Sequence, residues 1–180
     1  MIVLKEKGSN TYFFFFCLTI LFKKFKLIIG EIMFKKFIIA YDHRVDLKYI
    51  KKIQEVLALN SIEFDVIDDN GEANDYPLLA KLAYEKIKKT SADGLILLCG
   101  TGIGMNMVAN KFVGIRSVLA ESEADAYFSR RHENANSIVF AGGYSDGLFE
   151  IKPCRRKMAR MLQKFIETEF EGDRHIRRLK

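Results

Sequence analysis

The stretch Leu95-Ile-Leu-Leu-Cys-Gly-Thr-Gly-Ile-Gly-Met constrains this chain more than any other. The apolar run Leu95 to Leu98 reads as a strand buried on both faces, which belongs in a parallel sheet. Cys99 closes it, glycines follow at positions 100, 102 and 104, and a helix-like segment begins at Met105. Glycines let backbone N–H groups converge on an anion or a bound oxygen, and a helix start adds positive partial charge. A thiol at that mouth is expected to have a lowered pKa. Taken alone, the loop reads either as a phosphate or sugar cradle or as a tight structural turn. Cys99 reads either as a reactive thiol or as a strand-end cysteine that is simply buried. The spacing G-x-G-x-G after a third strand differs from the dinucleotide motif, and no P-loop pattern occurs.

Strand and helix patterns alternate through the rest of the chain. Strands are expected at Phe37–Ala40, Glu63–Ile67, Ile115–Leu119 and Ser137–Ala141. Helical spacing runs from Val45 to Leu59, and the turn signal Asp68-Asp69-Asn70-Gly71 follows the second strand. Asp75-Tyr76-Pro77 opens a helix that ends near Lys89, with Asp75 as N-cap. Further helices are expected at Met105–Phe112, Glu121–Arg130 and, around Pro153, Leu148–Phe170. Such alternation predicts a three-layer α/β/α sandwich, a Rossmann-like fold with a five-stranded, mostly parallel sheet. Ligands of such sheets bind outside the strands' carboxyl ends. Asp42, His43 and Cys99 all fall there, and all three histidines are expected in loops, at strand ends or in the tail.

Residues 1–32 stand apart. They hold five lysines, two glutamates and the apolar run Thr11–Phe22. That run is shorter than the roughly 20 residues needed to span a bilayer. The stretch is expected to be an N-terminal extension outside the fold, with a domain at 33–180 and no stable membrane association; the alternative is a signal-peptide h-region or, with Lys and Phe interleaved at 23–26, an amphipathic membrane anchor. The net charge of +6 leaves only +3 for the rest of the chain, too weak a field to argue for nucleic acid. Cys17, Cys99 and Cys154 have neither zinc-type spacing nor a disulfide framework, which points to a reducing, cytoplasmic setting.

Other candidate residues carry an ordinary reading beside a functional one. Asp42-His43 reads as a helix cap with an incidental neighbour or as a ligand-binding pair. His132 reads as an ordinary surface histidine or as a functional one. Arg174 and Arg178 stand four apart, so on a helix they share a face. They read as a solvated tail or as two guanidiniums that hold a phosphate.

Together these pieces resemble the ribose-5-phosphate isomerase type B family, with its galactose-6-phosphate isomerase relatives. The likeness runs from about Met33 to Arg178. It rests on Asp42-His43, Asp75-Tyr76-Pro77, Cys99-Gly-Thr-Gly-Ile-Gly104 with Ala109-Asn-Lys111, Gly114-Ile-Arg116, Arg131-His132 with Ala135-Asn136, and Glu171-Gly-Asp-Arg-His175. The resemblance implies aldose–ketose isomerisation of a phosphorylated sugar, chiefly ribose 5-phosphate to ribulose 5-phosphate of the pentose phosphate pathway, through an enediolate. The alternatives are a galactose 6-phosphate or allose 6-phosphate type of isomerase, or a non-catalytic sugar-phosphate-binding relative. It implies Cys99 as general base, Thr101 and the loop N–H groups as enediolate stabilisers, and His132 in ring opening. Some relatives carry a glutamate base where this chain has Met105. Asp42, His43, Gly100, Gly102, Ile103, Gly104, Glu133, Arg174 and Arg178 are the implied substrate-binding positions. No metal or organic cofactor is implied. The partners implied are the sugar phosphate and further copies of the chain, in a homodimer or tetramer with sites between subunits.

Two departures stand out. Glu133 occupies a position where the family usually has asparagine, with Asn134 displaced by one. The arginine usual just after the fifth strand is missing from Ala141-Gly-Gly-Tyr-Ser145. A lost cation and an added carboxylate are expected to weaken binding of a phosphate dianion by about 1–3 kcal/mol.

Overall fold

The computed structural model describes residues 33–67 and 75–179. The expected extension 1–32, with Cys17, and the turn at 68–71 lie outside the described residues.

Five strands form one sheet: β1 (Lys36–Tyr41), β2 (Glu63–Ile67), β3 (Gly94–Cys99), β4 (Ser117–Leu119) and β5 (Ser137–Ala141). Their order is β2-β1-β3-β5-β4, and every neighbouring pair is parallel. The central strands are buried on both faces, as their unbroken apolar runs require. Side chains alternate between two cores. Ile38, Ala40, Leu95, Leu97, Cys99 and Val139 face one core with Leu79, Ala83, Met105 and Ala109. That core lies under helices α2 (Tyr76–Lys89) and α3 (Ile103–Ala109). The opposite face is covered by α1 (Leu47–Leu59), α4 (Glu123–Glu133) and α5 (Arg155–Glu167), with Phe37, Phe140, Phe165 and Leu162 buried. This is the three-layer sandwich expected from the sequence.

Several boundaries differ from expectation. Asp75 occupies the N-cap position of α2, yet its side chain makes no capping hydrogen bond. Helix α4 runs through His132 to Glu133 and ends on Asn134 in the left-handed conformation (φ 47°), so His132 lies in a helix's last turn rather than in a loop. The last long helix starts at Arg155, after a small antiparallel ribbon of β6 (Tyr144–Ser145) and β7 (Glu150–Ile151). Beyond α5, the chain turns into a 3₁₀ helix, Asp173–Arg178. Among the described residues, no helix is long and apolar enough to cross a membrane.

Candidate active site

The chain leaves β1 toward β2 on one side and later returns to β3 on the other. The crevice between the carboxyl ends of β1 and β3 is therefore the topological switch point, where open α/β sheets bind ligands. Asp42 follows β1 directly and is buried, 4% exposed. Its backbone N–H donates to Leu98 O at 3.3 Å, and its Oδ1 accepts from Arg44 N at 3.1 Å. Next to it, His43 is exposed. Cys99 closes β3, across the crevice.

The glycine loop wraps the Cys99 sulfur. Backbone N–H groups of Met105, Gly102 and Thr101 favour its thiolate. Gly102 serves as N-cap of α3 with φ 78°, a conformation that costs any other residue strain. A Cβ there would also lie 2.5 Å from Leu119 Cδ1. Gly104 is required for a different reason, since a Cβ would meet the Tyr76 ring at 2.5 Å. That contact gives the Asp75-Tyr76-Pro77 motif a role that the sequence did not disclose. Thr101 Oγ1 accepts from Ile103 N at 3.2 Å, and Ile103 is 54% exposed.

The expectation of a lowered Cys99 pKa is corrected. Burial pushes the thiol above its ordinary 9.0 and outweighs the three N–H groups, and the nearby Asp42 carboxylate pushes in the same direction. The lowered thiol is Cys154, exposed at the start of α5, where backbone N–H groups of Lys157 and Arg156 stabilise its thiolate.

The remaining predicted residues gather elsewhere. His132 sits at the carboxyl end of α4, just before β5 begins at Ser137. There Arg116 Nε donates to Glu133 O at 3.0 Å, and Asn136 O accepts from Leu95 N at 2.9 Å. Leu95 pairs with Ser137, whereas Cys99 pairs with Ala141. His132 and the exposed Glu133 therefore stand at the amino end of the sheet, with about 13 Å of strand between that end and Cys99. Arg174 and Arg178 lie at the same amino end. Arg174 Nε donates to His175 Nε2 at 3.2 Å, and Arg178 Nη1 stands 3.4 Å from His175 Nδ1. The His175 ring, 1% exposed, stacks on His132. Burial, His132 and the two arginines hold the His175 imidazole below its ordinary 6.5. Glu171 joins this group, pairing with Arg131 at 2.9 Å. Ligand atoms of His132, Glu171 and His175 lie within 4.8 Å of one another. Parallel stacked rings do not aim their in-plane lone pairs at one ion, and two guanidiniums favour an anion.

One chain thus carries two groups at opposite ends of one sheet. Asp42, His43, Cys99, Thr101 and the loop form the first, and His132, Glu133, Arg174 and Arg178 the second. The fold and the first group define an α/β domain of the switch-point class with a thiol at its ligand crevice. Residues 37–180 match the model of the Ribose/Galactose Isomerase family, and the chain belongs to that family. It is 38% identical over 146 residues to a probable ribose-5-phosphate isomerase B of Mycoplasma genitalium, covering 78% of this chain and 89% of that one. The crystal structure of a ribose 5-phosphate isomerase from Thermotoga maritima superposes with a TM-score of 0.69 at 33% identity, covering 80% and 94% of the two chains. The Mycoplasma genitalium ribose-5-phosphate isomerase B with bound ribulose-5-phosphate superposes with a TM-score of 0.69 at 33% identity, covering 80% and 91%.

Proposed function

We propose that this chain, through residues 33–180, interconverts ribose 5-phosphate and ribulose 5-phosphate, with Cys99 as the general base. The reading is carried by a thiol at the switch-point crevice, whose thiolate is favoured by backbone N–H groups of the glycine loop, in a chain that belongs to this isomerase family. The Cys99 thiolate takes the proton from C2 of the open-chain aldose, C1=C2 forms, and charge passes to O1. The same thiol then returns the proton to C1, while O2 loses its proton, C2=O2 forms and O1 is protonated. A thiol raised by burial is a stronger base, present as thiolate in a small fraction at neutral pH. Such chemistry needs a reducing compartment, and we assign the chain to the cytoplasm.

The working site is assigned to two copies of the chain. The first group of one copy faces the second group of its neighbour, so that His132 of the partner subunit opens the sugar ring and its arginines hold the phosphate. The separation of Cys99 and His132 along one sheet supports this arrangement. So do exposed apolar side chains beside both groups: Ile103 and Met107 on α3 (54% and 63% exposed) and Phe128 beside His132 (50%).

The test is turnover of ribose 5-phosphate by the full chain, with Cys99→Ala and His132→Ala. Each variant alone should be inactive, and a refolded equal mixture should regain about a quarter of wild-type activity, because half the dimers then hold one intact site. A mixture as inactive as its components would exclude the shared site. A wild-type dimer without turnover would exclude ribose 5-phosphate as substrate.

A further inference from the structure

The segment after β5, Ala141-Gly-Gly-Tyr-Ser145, carries no cation of its own. A cation from another strand end, Arg44, stands against the same segment. Arg44 follows His43 at the end of β1, and its side chain reaches across the crevice to the glycine loop. The point where Gly100 would carry a Cβ lies 3.6 Å from Arg44 Cδ, 3.6 Å from Tyr144 Cδ2 and 3.4 Å from Gly143 O. Gly143 and Tyr144 belong to the very segment that lacks the arginine. Residues from the ends of β1, β3 and β5 therefore meet over Gly100, and the positively charged one comes from β1. Arg44 is exposed, and it enters none of the ion pairs among the described residues.

We propose that Arg44 binds the substrate's phosphate from the β1 side, replacing the cation that the segment after β5 does not supply. This rests on the sugar-phosphate reading of the same crevice. A guanidinium offers paired N–H donors that match two phosphate oxygens. Its stem lies along the bare backbone of Gly100, beside Tyr144, so the head is carried on a supported arm.

The test separates phosphate binding from turnover. Affinity for inorganic phosphate is measured by calorimetry on the full chain, for wild type, Arg44→Gln, Arg44→Lys, and Arg44→Gln combined with Tyr144→Arg. Arg44→Gln should weaken phosphate binding about tenfold or more, Arg44→Lys should keep part of it, and the double variant should recover it by placing the cation on the opposite wall. In parallel, KM for ribose 5-phosphate should rise in Arg44→Gln by the same factor, with a smaller change in kcat. A phosphate affinity changed less than about twofold in Arg44→Gln overturns the proposal, as does a wild type that binds no phosphate. Loss of phosphate affinity in Arg44→Gln from a wild type that does not turn over ribose 5-phosphate keeps the proposal and removes the substrate assignment.

Discussion

His175 stacks face to face on His132, with ring centroids 4.4 Å apart and planes 7° from parallel. The buried ring fixes one face of His132 while its two nitrogens meet Arg174 and Arg178. One residue without an assigned task thus holds in place three that the resemblance assigns to ring opening and phosphate binding.

That geometry has a consequence in acid. The folded chain holds His175 below 6.5, so on unfolding the residue takes up protons as the pH falls past that value. The unfolded state binds more protons there, and stability is lost toward acid. Wild-type Tm should therefore fall more steeply below pH 6.5 than that of His175→Phe, which keeps a ring against His132 but cannot titrate. Parallel curves for the two proteins would refute the assignment.

The two described thiols should differ in reactivity. Iodoacetamide at neutral pH should label Cys154 before Cys99, as read by peptide mass mapping, because the first thiol is exposed and lowered and the second buried and raised. For the same reason kcat/KM should climb on the alkaline side as Cys99 ionises, up to a midpoint above 9.0. A profile already flat at neutral pH would contradict the raised thiol.

The loop's glycines should not be equivalent. Gly102→Ala adds a Cβ at φ 78° against Leu119 and, at 3.2 Å, the backbone of Ala141, and should destabilise the fold by about 2 kcal/mol or more. Gly100→Ala meets neighbours only at 3.4 Å and beyond, so urea denaturation should find its stability near that of wild type. Similar midpoints for both variants would show that the loop conformation is not what Gly102 provides.

Arg130 is 1% exposed and pairs with no carboxylate among the described residues. Its guanidinium donates to Ala135 O, Asn134 Oδ1 and Thr168 O, and lies over the Phe34 ring at 4.7 Å. Burial and the nearby Arg116 bring its pKa down to about 10. Arg130→Ala should cost about 3 kcal/mol by urea denaturation, from the cavity and the abandoned carbonyls, and Arg130→Met should restore part of the loss by refilling the volume. Wild-type stability in Arg130→Ala would mean that the cation holds nothing together.

The fold was legible because the signals are local: five short apolar runs separated by helical spacing, and one glycine loop with a cysteine before it. The first group of the site was legible for the same reason, since Asp42, His43 and Cys99 fall at strand ends. The Cys99 pKa was not, because sequence displays the loop's N–H groups but not the packing that desolvates the sulfur. The burial of His175 against His132 was not legible either, because its neighbours Asp173, Arg174 and Arg177 suggest a solvated tail. The remoteness of His132 from Cys99 was available in principle. A helix that follows a parallel strand must run back toward the sheet's amino end and carry its last turn there. Extending α4 past Arg130 required seeing Asn134 in its left-handed turn.

The placement of Cys99 and His132 at opposite ends of one sheet bears on inheritance. If each site is shared, a copy damaged at one end spoils a single site in a mixed dimer and leaves the other working. A copy damaged at both ends spoils both, so it silences every normal partner that it captures. Single lesions at the two ends would complement each other within one cell, whereas the double lesion would act as a dominant poison.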